Sequence, residues 1–290
     1  MATSDAKVAA SGADDFAQWV GRKEQASTRV SDWLVRQFHA TFAPHLAEAS
    51  ADVLPLLAHW CLAPDAVEEA RLTADGHPER GGFLPPITLP RRMWAGGEVT
   101  VRGEFHAGEG VTRTSVVRNV TRKDGRSGML WFVEVTHDTA GSVGVMVSEK
   151  QTIVYREAGA QSAAAVPPTV TREEATRVEQ VGTSTVRLFR YSAMTFNSHR
   201  IHYDLPYARD VEGYAGLVVH APLQATLLAH FAAKIVGRSP QTFRYRATAP
   251  LIAGNPLELR AAETPDGLAC CICNAAGGMT MEATATWEPA

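Results

Sequence analysis

The sequence has few cysteines, and they do not form a metal-binding pattern. Of its four cysteines, Cys270, Cys271 and Cys273 stand together in one alternating run. Neighbouring residues on a strand point to opposite faces, so Cys270 and Cys271 are badly placed to share a metal ion. We therefore expect buried, reduced cysteines in a cytoplasmic protein, with no metal site.

The sequence also lacks a membrane-spanning apolar run, a glycine-rich dinucleotide fingerprint and a strong excess of charge. Its formal net charge of −3 gives no general attraction for nucleic acid or for an anionic membrane. We expect neither partner and no cofactor. Residues 1–13 lack the order of a secretory signal and are predicted to be a disordered leader.

What the chain does contain is a change of hydrophobic period. Residues 14–63 have helical character, with Ser31 as an N-cap and a second short helix predicted over Val53 to Cys61. Residues 75–97 are rich in glycine and proline, which favours a long functional or surface loop and excludes a central strand. Four alternating segments between Glu98 and Arg156 then predict an antiparallel sheet.

The second part of the chain repeats this order. Residues 157–169 are small, end in two prolines and form the best linker candidate, so we predict halves over 14–156 and 170–290. Residues 184–195 alternate like a strand, a helix is predicted from about Pro222 to Val236, and four strands follow. A helix on an antiparallel sheet buries one face of each. The predicted class is α+β, with a pocket at the junction of the halves.

Polar side chains concentrate directly before the predicted long helix. The segment carries Asn197, His199, Arg200 and His202, and His220 precedes the helix itself. A helix N-terminus offers unpaired N–H groups to an anion. The concentration therefore predicts a working site.

This segment resembles the MaoC-like (R)-specific enoyl-CoA hydratases of hotdog fold. Their signature is Gly-Asp-x-Asn-Pro-hydrophobic-His, and residues 196–202 are FNSHRIH, which aligns His202 with the final histidine. Residues 219–221, Val-His-Ala, are similar to the family's Val-His-Gly turn into its central helix. Two departures stand out: Asn197 occupies the place of the catalytic aspartate, and Ala221 replaces the glycine.

The whole chain is similar to fused double-hotdog dehydratases. The runs DGHPERGGFLPP, LPRRMWAGG and GRSGMLWFVEVTHD place it closest to the group of mesaconyl-C4-CoA (3-methylfumaryl-CoA) and itaconyl-CoA hydratases. The resemblance implies a degenerate N-terminal hotdog over 14–156 and a C-terminal hotdog with the hydratase-like motif over 170–290. It also implies an acyl-CoA substrate and reversible hydration of an enoyl-CoA.

Hydration of an enoyl thioester needs proton transfer and donors for the developing oxyanion. The resemblance implies His202 as the acid/base and the backbone N–H of Ala221 as the oxyanion donor. Asn197 cannot accept a proton, but its amide can orient the attacking water. Alternatively, His199 replaces the missing carboxylate as a second titratable group. Asp204 is expected to cap a helix rather than to act as an acid.

The free carboxylate of a dicarboxylic acyl group would need a cation, and a guanidinium suits that task. Arg200 is the nearest candidate in the sequence, and Arg91 or Arg92 could come from the first half. Each could equally be a solvated surface charge. His220 is expected either to fix the turn or to touch the ligand.

Three other interpretations stay open. A 3-hydroxyacyl-thioester dehydratase for linear chains would need an apolar tunnel without an arginine at its end. A hotdog thioesterase would release a free thiol. The asparagine at position 197 keeps open a non-catalytic acyl-CoA-binding module, which would bind CoA esters without turnover. The chain can be a monomer, since two fused hotdogs mimic the usual dimer, but exposed sheet edges also allow a homodimer.

Overall fold

The computed structural model describes residues 16–125, 128–158 and 165–288. The predicted leader, residues 1–13, lies outside them, as do residues 159–164 of the predicted linker. The described residues up to 158 are called the N-terminal half below, and those from 165 onward the C-terminal half. The domain boundaries themselves stay a prediction.

The described strands form one ten-stranded antiparallel sheet. Its order is β1-β3-β4-β5-β2-β7-β10-β9-β8-β6, so the pairing of β2 with β7 joins the two halves. The strands are β1 (Lys23–Arg29), β2 (Arg91–Val101), β3 (Gly110–Gly125), β4 (Gly128–Gly141), β5 (Gly144–Arg156), β6 (Arg177–Val181), β7 (Thr242–Ala247), β8 (Leu257–Thr264), β9 (Gly267–Cys273) and β10 (Met279–Thr286).

Helix α3 (Ala221–Val236) packs against the sheet and is buried over most of its length. Leu223, Leu227 and Phe231 recur at every fourth residue, which places them on one face. The helix ends where Gly237 adopts a left-handed conformation with φ 80°, which glycine does at low cost. The predicted long helix is thus confirmed.

Two shorter helices complete the core. Helix α1 (Asp32–Phe42) begins at Ser31, whose hydroxyl accepts a hydrogen bond from the N–H of Leu34 at 3.0 Å, as predicted for an N-cap. Helix α2 (Thr185–Thr195) belongs to the C-terminal half. The two helices meet where Phe42 packs edge-on against Tyr191 at 5.8 Å between ring centroids. One apolar cluster therefore contains residues of both halves.

The prediction of a strand over residues 184–195 is wrong, because this segment is helix α2. Its buried residues include Leu188, Tyr191 and Ser192, which follow a helical spacing rather than an alternation. The hydroxyl of Ser184 accepts a hydrogen bond from the N–H of Arg187 and caps the helix.

The prediction for residues 14–97 needs three further corrections. The segment contains a strand, β1, and the second predicted helix is reduced to a short 3-10 turn, Ala58–Cys61. The predicted loop ends earlier, because the central strand β2 starts at Arg91 and includes Gly96. A Cβ at Gly96 would lie 2.5 Å from the carbonyl oxygen of Tyr245. The backbone of β7 lies so close to β2 at this position that no side chain fits, so a glycine stands within the strand.

All four cysteines are buried and free of disulfide bonds, as predicted. Cys270 packs in the core shared by the halves, whereas Cys271 and Cys273 pack in a separate small cluster, so neighbouring thiols do point to opposite faces. Burial raises the pKa of Cys270 to about 12. Among the described residues, no helix is both long and apolar enough to cross a membrane. The cytoplasmic location stays a prediction.

Candidate active site

A cavity of about 1160 Å³ lies between the two halves. The N-terminal half lines it with residues of the segment 71–94 and of β4 and β5. The C-terminal half lines it with the end of α2, the polar segment that follows, and the start of α3. The predicted pocket at the junction of the halves is therefore present.

His202 lies in this cavity wall with a defined tautomer. Its Nδ1 is 2.7 Å from the carbonyl oxygen of Val218, and since a carbonyl can only accept, Nδ1 carries the hydrogen. Nε2 is then the nitrogen with a free lone pair. Burial lowers the pKa of His202 well below its ordinary value, and the neighbouring His220 and His199 add to this effect.

His220 stands at the N-cap of α3 and stacks on His202, with 3.6 Å between ring centroids. Its Nε2 is 2.9 Å from the hydroxyl of Ser192, and burial lowers its pKa to about 3. Helix α3 starts at Ala221, and N–H groups of a first helical turn have no intrahelical partner. Ala221 thus lines the cavity where a helix presents N–H donors.

Asn197 follows α2 and also lines the cavity. Its side-chain Oδ1 accepts a hydrogen bond from the backbone N–H of His199 at 3.0 Å. Its backbone N–H donates to the carbonyl of Ser192 at 2.9 Å. These bonds fix the side chain within the turn. The amide nitrogen Nδ2 is the group that Asn197 can present to a water or a ligand.

Arg200 is not among the cavity-lining residues, although the sequence made it a substrate-binding candidate. Its Nε and Nη2 donate to Oδ2 of Asp204 at 3.0 and 2.7 Å. Its Nη1 donates to the carbonyl of Ala74 at 3.0 Å. Asp204 accepts from the N–H of Tyr207 through Oδ1, as predicted for a cap. Arg200 therefore connects the polar segment to the N-terminal half.

Sequence reasoning missed two functional candidates, Asp75 and His77, which come from the N-terminal half. Oδ2 of Asp75 lies 2.9 Å from Nδ1 of His77, and the His77 ring is 4.1 Å from that of His199. Burial lowers the pKa of His77 to about 3, and the charge of Arg92 contributes. The run Asp-Gly-His within a predicted functional loop was the signal that could have identified them.

Hydrogen bonds hold the pair in a fixed conformation. Burial works to raise the pKa of Asp75, but bonds from His77 and Thr73 outweigh it and keep that pKa far below its usual range. Oδ1 of Asp75 accepts from the Thr73 hydroxyl and, at 3.0 Å, from the N–H of His77. At pH 7 the carboxylate is thus ionised and aimed at the imidazole.

The loop that carries the pair docks directly on the polar segment. The hydroxyl of Ser198 donates to the carbonyl of Gly76 at 2.6 Å, and the N–H of Arg200 donates to the carbonyl of Asp75 at 2.9 Å. Gly76 has φ +89°, and a Cβ there would lie 1.9 Å from the carbonyl oxygen of Ser198. Only glycine allows this close approach of the two backbones.

Asp75, His77 and His199 also place three potential metal ligands within 4.8 Å of one another. Both carboxylate oxygens of Asp75 already accept hydrogen bonds from the residues of its own loop. The arrangement is therefore that of a hydrogen-bonded acid–histidine pair, and the prediction of no metal stays a prediction.

Two arginines from the start of β2 line the cavity, as the sequence allowed. Nη2 of Arg91 donates to the carbonyl of Glu212 at 2.5 Å, and its Nη1 lies 3.9 Å from a carboxylate oxygen of the same residue. Arg92 lines the cavity together with Tyr155 and His77, and its charge adds to burial in lowering the pKa of the His77 imidazole. Arg92 is thus a cation close to the acid–histidine pair.

A second polar cluster lines the cavity on the N-terminal side. Oε2 of the buried Glu149 accepts a hydrogen bond from the indole of Trp60 at 2.9 Å and lies 3.5 Å from Nε2 of His59. Burial works to raise the pKa of Glu149, but His59, His137 and Trp60 outweigh it and lower that pKa. No local pattern indicates this cluster, because His137 and Glu149 are far along the chain from His59 and Trp60.

The chain is similar to proteins of known activity over most of its length. Residues 57–253 match the family profile described as hydroxyacyl-thioester dehydratase type 2. The mesaconyl-C(4)-CoA hydratase of Chloroflexus aurantiacus is 40% identical over 253 residues, which are 87% of this chain and 90% of that protein.

Solved structures show the same fold at low sequence identity. HtdX of Mycobacterium tuberculosis superposes with a TM-score of 0.67 at 16% identity and covers 91% of this chain and 98% of its own. A second protein of that organism, described as having a double hotdog fold, gives a TM-score of 0.55 at 12% identity over 91% of this chain and 94% of its own. The predicted α+β double-hotdog fold is confirmed.

Proposed function

Because the chain belongs to the hydroxyacyl-thioester dehydratase type 2 family, we propose that it is a hydro-lyase that reversibly hydrates an enoyl-CoA thioester. The observation that carries this proposal is the cavity at the junction of the halves. There the Nε2 lone pair of His202, the amide of Asn197 and the start of α3 line one space.

Each of these groups meets one need of the reaction. The N–H of Ala221 faces the thioester oxygen as negative charge develops on it, because a helix N-terminus favours an anion. His202 contacts the reacting water through Nε2, and Asn197 orients that water through Nδ2. His199 and His220 line the space that the acyl group occupies. No metal or redox step is part of this proposal.

We propose a branched dicarboxylic acyl group as the substrate, of the mesaconyl-C4-CoA or itaconyl-CoA type. The 40% identical relative is named for such a substrate. Of the arginine candidates, Arg92 is favoured, since Arg200 is engaged with Asp204 and Arg91 with Glu212. A guanidinium can bind a free carboxylate through two parallel hydrogen bonds.

The test follows the loss of enoyl-thioester absorbance with mesaconyl-C4-CoA, itaconyl-CoA and crotonyl-CoA. We expect a dicarboxylic ester to be preferred and His202→Ala to lower kcat/KM by about 10²–10⁴-fold, the usual contribution of a group that acts on the reacting proton. The matched control is His106→Ala, because His106 lies outside the cavity lining and is half exposed.

Three results would redirect the proposal. Preference for crotonyl-CoA, unaffected by Arg92→Gln, would favour the linear-chain dehydratase; the family description names hydroxyacyl-thioester dehydratases. Release of free CoA thiol would indicate a thioesterase. Binding of all three esters without turnover would indicate a non-catalytic acyl-CoA-binding module.

A further inference from the structure

The FNSHRIH motif itself contains no carboxylate. The acidic group that its His199 meets is Glu212, 3.7 Å from Nε2, which comes from further along the C-terminal half and also faces Arg91. Asn197 replaces the aspartate of the family signature, and an amide cannot take up a proton. The groups that shift the pKa of His202 are other histidines and the Val218 carbonyl. A proton accepted by His202 would therefore create a buried imidazolium beside His220 without a neighbouring counter-charge.

The N-terminal half supplies the missing carboxylate to a different histidine. Asp75 accepts the Nδ1 hydrogen of His77 at 2.9 Å, so the lone pair of His77 is on Nε2. Both residues line the same cavity as His202. A proton accepted at Nε2 would convert the pair into a carboxylate–imidazolium ion pair, in which the charge of Asp75 favours the imidazolium, whereas burial and the charge of Arg92 oppose it.

The position of the pair is fixed relative to the motif. The loop is anchored by the bonds from Ser198 to the Gly76 carbonyl and from the Arg200 N–H to the Asp75 carbonyl. Since these anchors lie in the FNSHRIH segment itself, the His77 ring is carried to within 4.1 Å of His199. Fixed geometry of this kind is what a group acting on a reacting proton requires.

We propose that His77, oriented and charge-balanced by Asp75, is the general base of the reaction, so that the N-terminal half contributes a catalytic residue and not only a scaffold. The proposal rests on the proposed function and deepens it. Asp75 acts through His77 and is a positioning residue. Arg92 and His77 line the same cavity, so a carboxylate bound to Arg92 would hold the acyl group in the space that the base faces.

A single base is enough for the reaction, because the proton that it takes from water is the proton that it returns to the α-carbon. In hydration, Nε2 of His77 takes a proton from water while the water oxygen bonds to the β-carbon. The carbon–carbon π electrons form a double bond between the α-carbon and the thioester carbon, and the carbonyl π electrons move to the thioester oxygen, which faces the N–H of Ala221. The enolate then takes the same proton from Nε2 at the α-carbon. Water is added, no other reactant is needed, and His77 returns to its neutral form.

His202 has a different task in this cycle. Its fixed Nδ1–H and free Nε2 make it a hydrogen-bond acceptor for the reacting water or hydroxyl, without net charge at any step. The two histidines therefore differ in one measurable property: only the base can be replaced by a small molecule that accepts a proton.

The experiment compares His77→Ala with His202→Ala, using the enoyl-CoA that the wild-type enzyme prefers. Both should lose about 10²–10⁴-fold in kcat. We expect added imidazole to restore turnover of His77→Ala only, and substituted imidazoles to restore it faster as their pKa rises. A merely structural role would not give a rate that depends on the basicity of the added amine.

Asp75→Asn keeps the size of the side chain and removes its negative charge. It also replaces one of the two accepting oxygens by an NH2 donor, so the asparagine can accept either the Nδ1 hydrogen or the backbone N–H of His77, but not both. We expect kcat to fall by at least about 10²-fold with KM within about threefold, and no rescue by imidazole because the native ring remains in place. This variant keeps the test informative if His77→Ala does not fold.

The outcomes separate this proposal from its alternatives. Rescue of His202→Ala and not of His77→Ala would overturn it in favour of His202 as the base, as would an Asp75→Asn enzyme with wild-type kcat. Loss of wild-type activity with EDTA, restored by Zn²⁺, would overturn it in favour of a metal ion held by Asp75, His77 and His199. Wild-type enzyme that hydrates none of the esters would instead refute the proposed function itself.

Discussion

Position 197 shows how one residue changes the chemistry that a site needs from elsewhere. An aspartate there would be both an orienting group and a proton acceptor, whereas Asn197 can only orient. The carboxylate nearest to an imidazole of the site is Asp75, more than a hundred residues earlier in the sequence. When one residue of a motif lacks the functional group of the family signature, a residue outside the motif can thus supply that group.

Buried neutral histidines make a residue-scale prediction about acid stability. Nδ1 of His230 accepts the N–H of Ala47 at 3.0 Å, and its Nε2 donates to the carbonyl of Leu56 at 3.0 Å. A protonated ring would lose the first bond, and burial already lowers the pKa of His230 to about 4. The unfolded chain, with a histidine pKa of about 6.5, therefore binds this proton first as the pH falls.

The stability that His230 contributes is complete above about pH 6.5 and is lost as the pH falls toward 4. For His230→Gln we expect the free energy of unfolding to depend less on pH between about 4.5 and 6. The slope should decrease by about 1.4 kcal/mol per pH unit, which corresponds to one proton. Urea unfolding at several pH values measures this, and equal slopes in variant and wild type would contradict it.

At the scale of elements, the helix α2 shows where sequence periodicity failed. The sequence predicts Val186, Leu188 and Tyr191 as residues of a strand, but Val186 is 59% exposed whereas the other two are buried. The hydrophobic residues of α2 lie on more than one side, because exposed Phe189 lines the cavity, as does Phe196 directly after the helix. A segment that faces both a core and a cavity does not show a simple period.

The docked loop gives an element-scale prediction with a matched control. Gly76 and Gly108 both have φ +89°, but only at Gly76 does a Cβ meet another backbone, whereas Gly108 has no heavy atom within 4 Å of that position. Both alanine variants carry the cost of a left-handed residue, about 1–2 kcal/mol. For Gly76→Ala we also expect kcat/KM to fall by about 10²-fold, because the acid–histidine pair is displaced.

Steady-state kinetics and thermal unfolding of the two glycine variants decide this point. Gly108→Ala should lose only the roughly 1–2 kcal/mol of a left-handed residue and keep its activity, whereas Gly76→Ala should lose more stability because its Cβ also meets the Ser198 carbonyl. Equal activity of the two variants would show that the docked conformation of the loop is not needed for turnover.

At the scale of the whole molecule, the two halves share both a sheet and a core. Strands β2 and β7 pair across the junction, and the shared cluster contains Phe38 and Phe42 of α1 together with Leu188 and Tyr191 of α2. We expect the halves to unfold together in one transition. The edge strands of the sheet are β1 and β6, and a homodimer through such an edge stays a prediction.

Two substitutions on α1 test the shared core. Phe42 is fully buried against Tyr191 of the other half, whereas Trp33 on the same helix is 61% exposed. We expect Phe42→Ala to lower the free energy of unfolding by about 3–5 kcal/mol and Trp33→Ala by no more than about 0.5 kcal/mol. Calorimetry should show one transition that shifts as a whole. A Phe42→Ala protein in which only part of the unfolding heat moves would mean that the halves unfold independently.

The sequence by itself determined the class of fold, the long helix α3 and most strands, because these depend on local periodicity and on caps such as Ser31 and Gly237. It also located the polar segment from Asn197 to His202 and the pocket between the halves. Its resemblance to a known family was confirmed by the family profile over residues 57–253 and by the relative that is 40% identical.

Only the tertiary structure decided which side chains face the cavity together. It placed Asp75 and His77 beside His199, engaged Arg200 with Asp204 and Ala74, and gathered the cluster around Glu149. These contacts depend on how two distant backbones approach, as at Gly76 and Ser198. A local pattern carries no information about such an approach, because the distance in space between two segments is set by the packing of the whole chain.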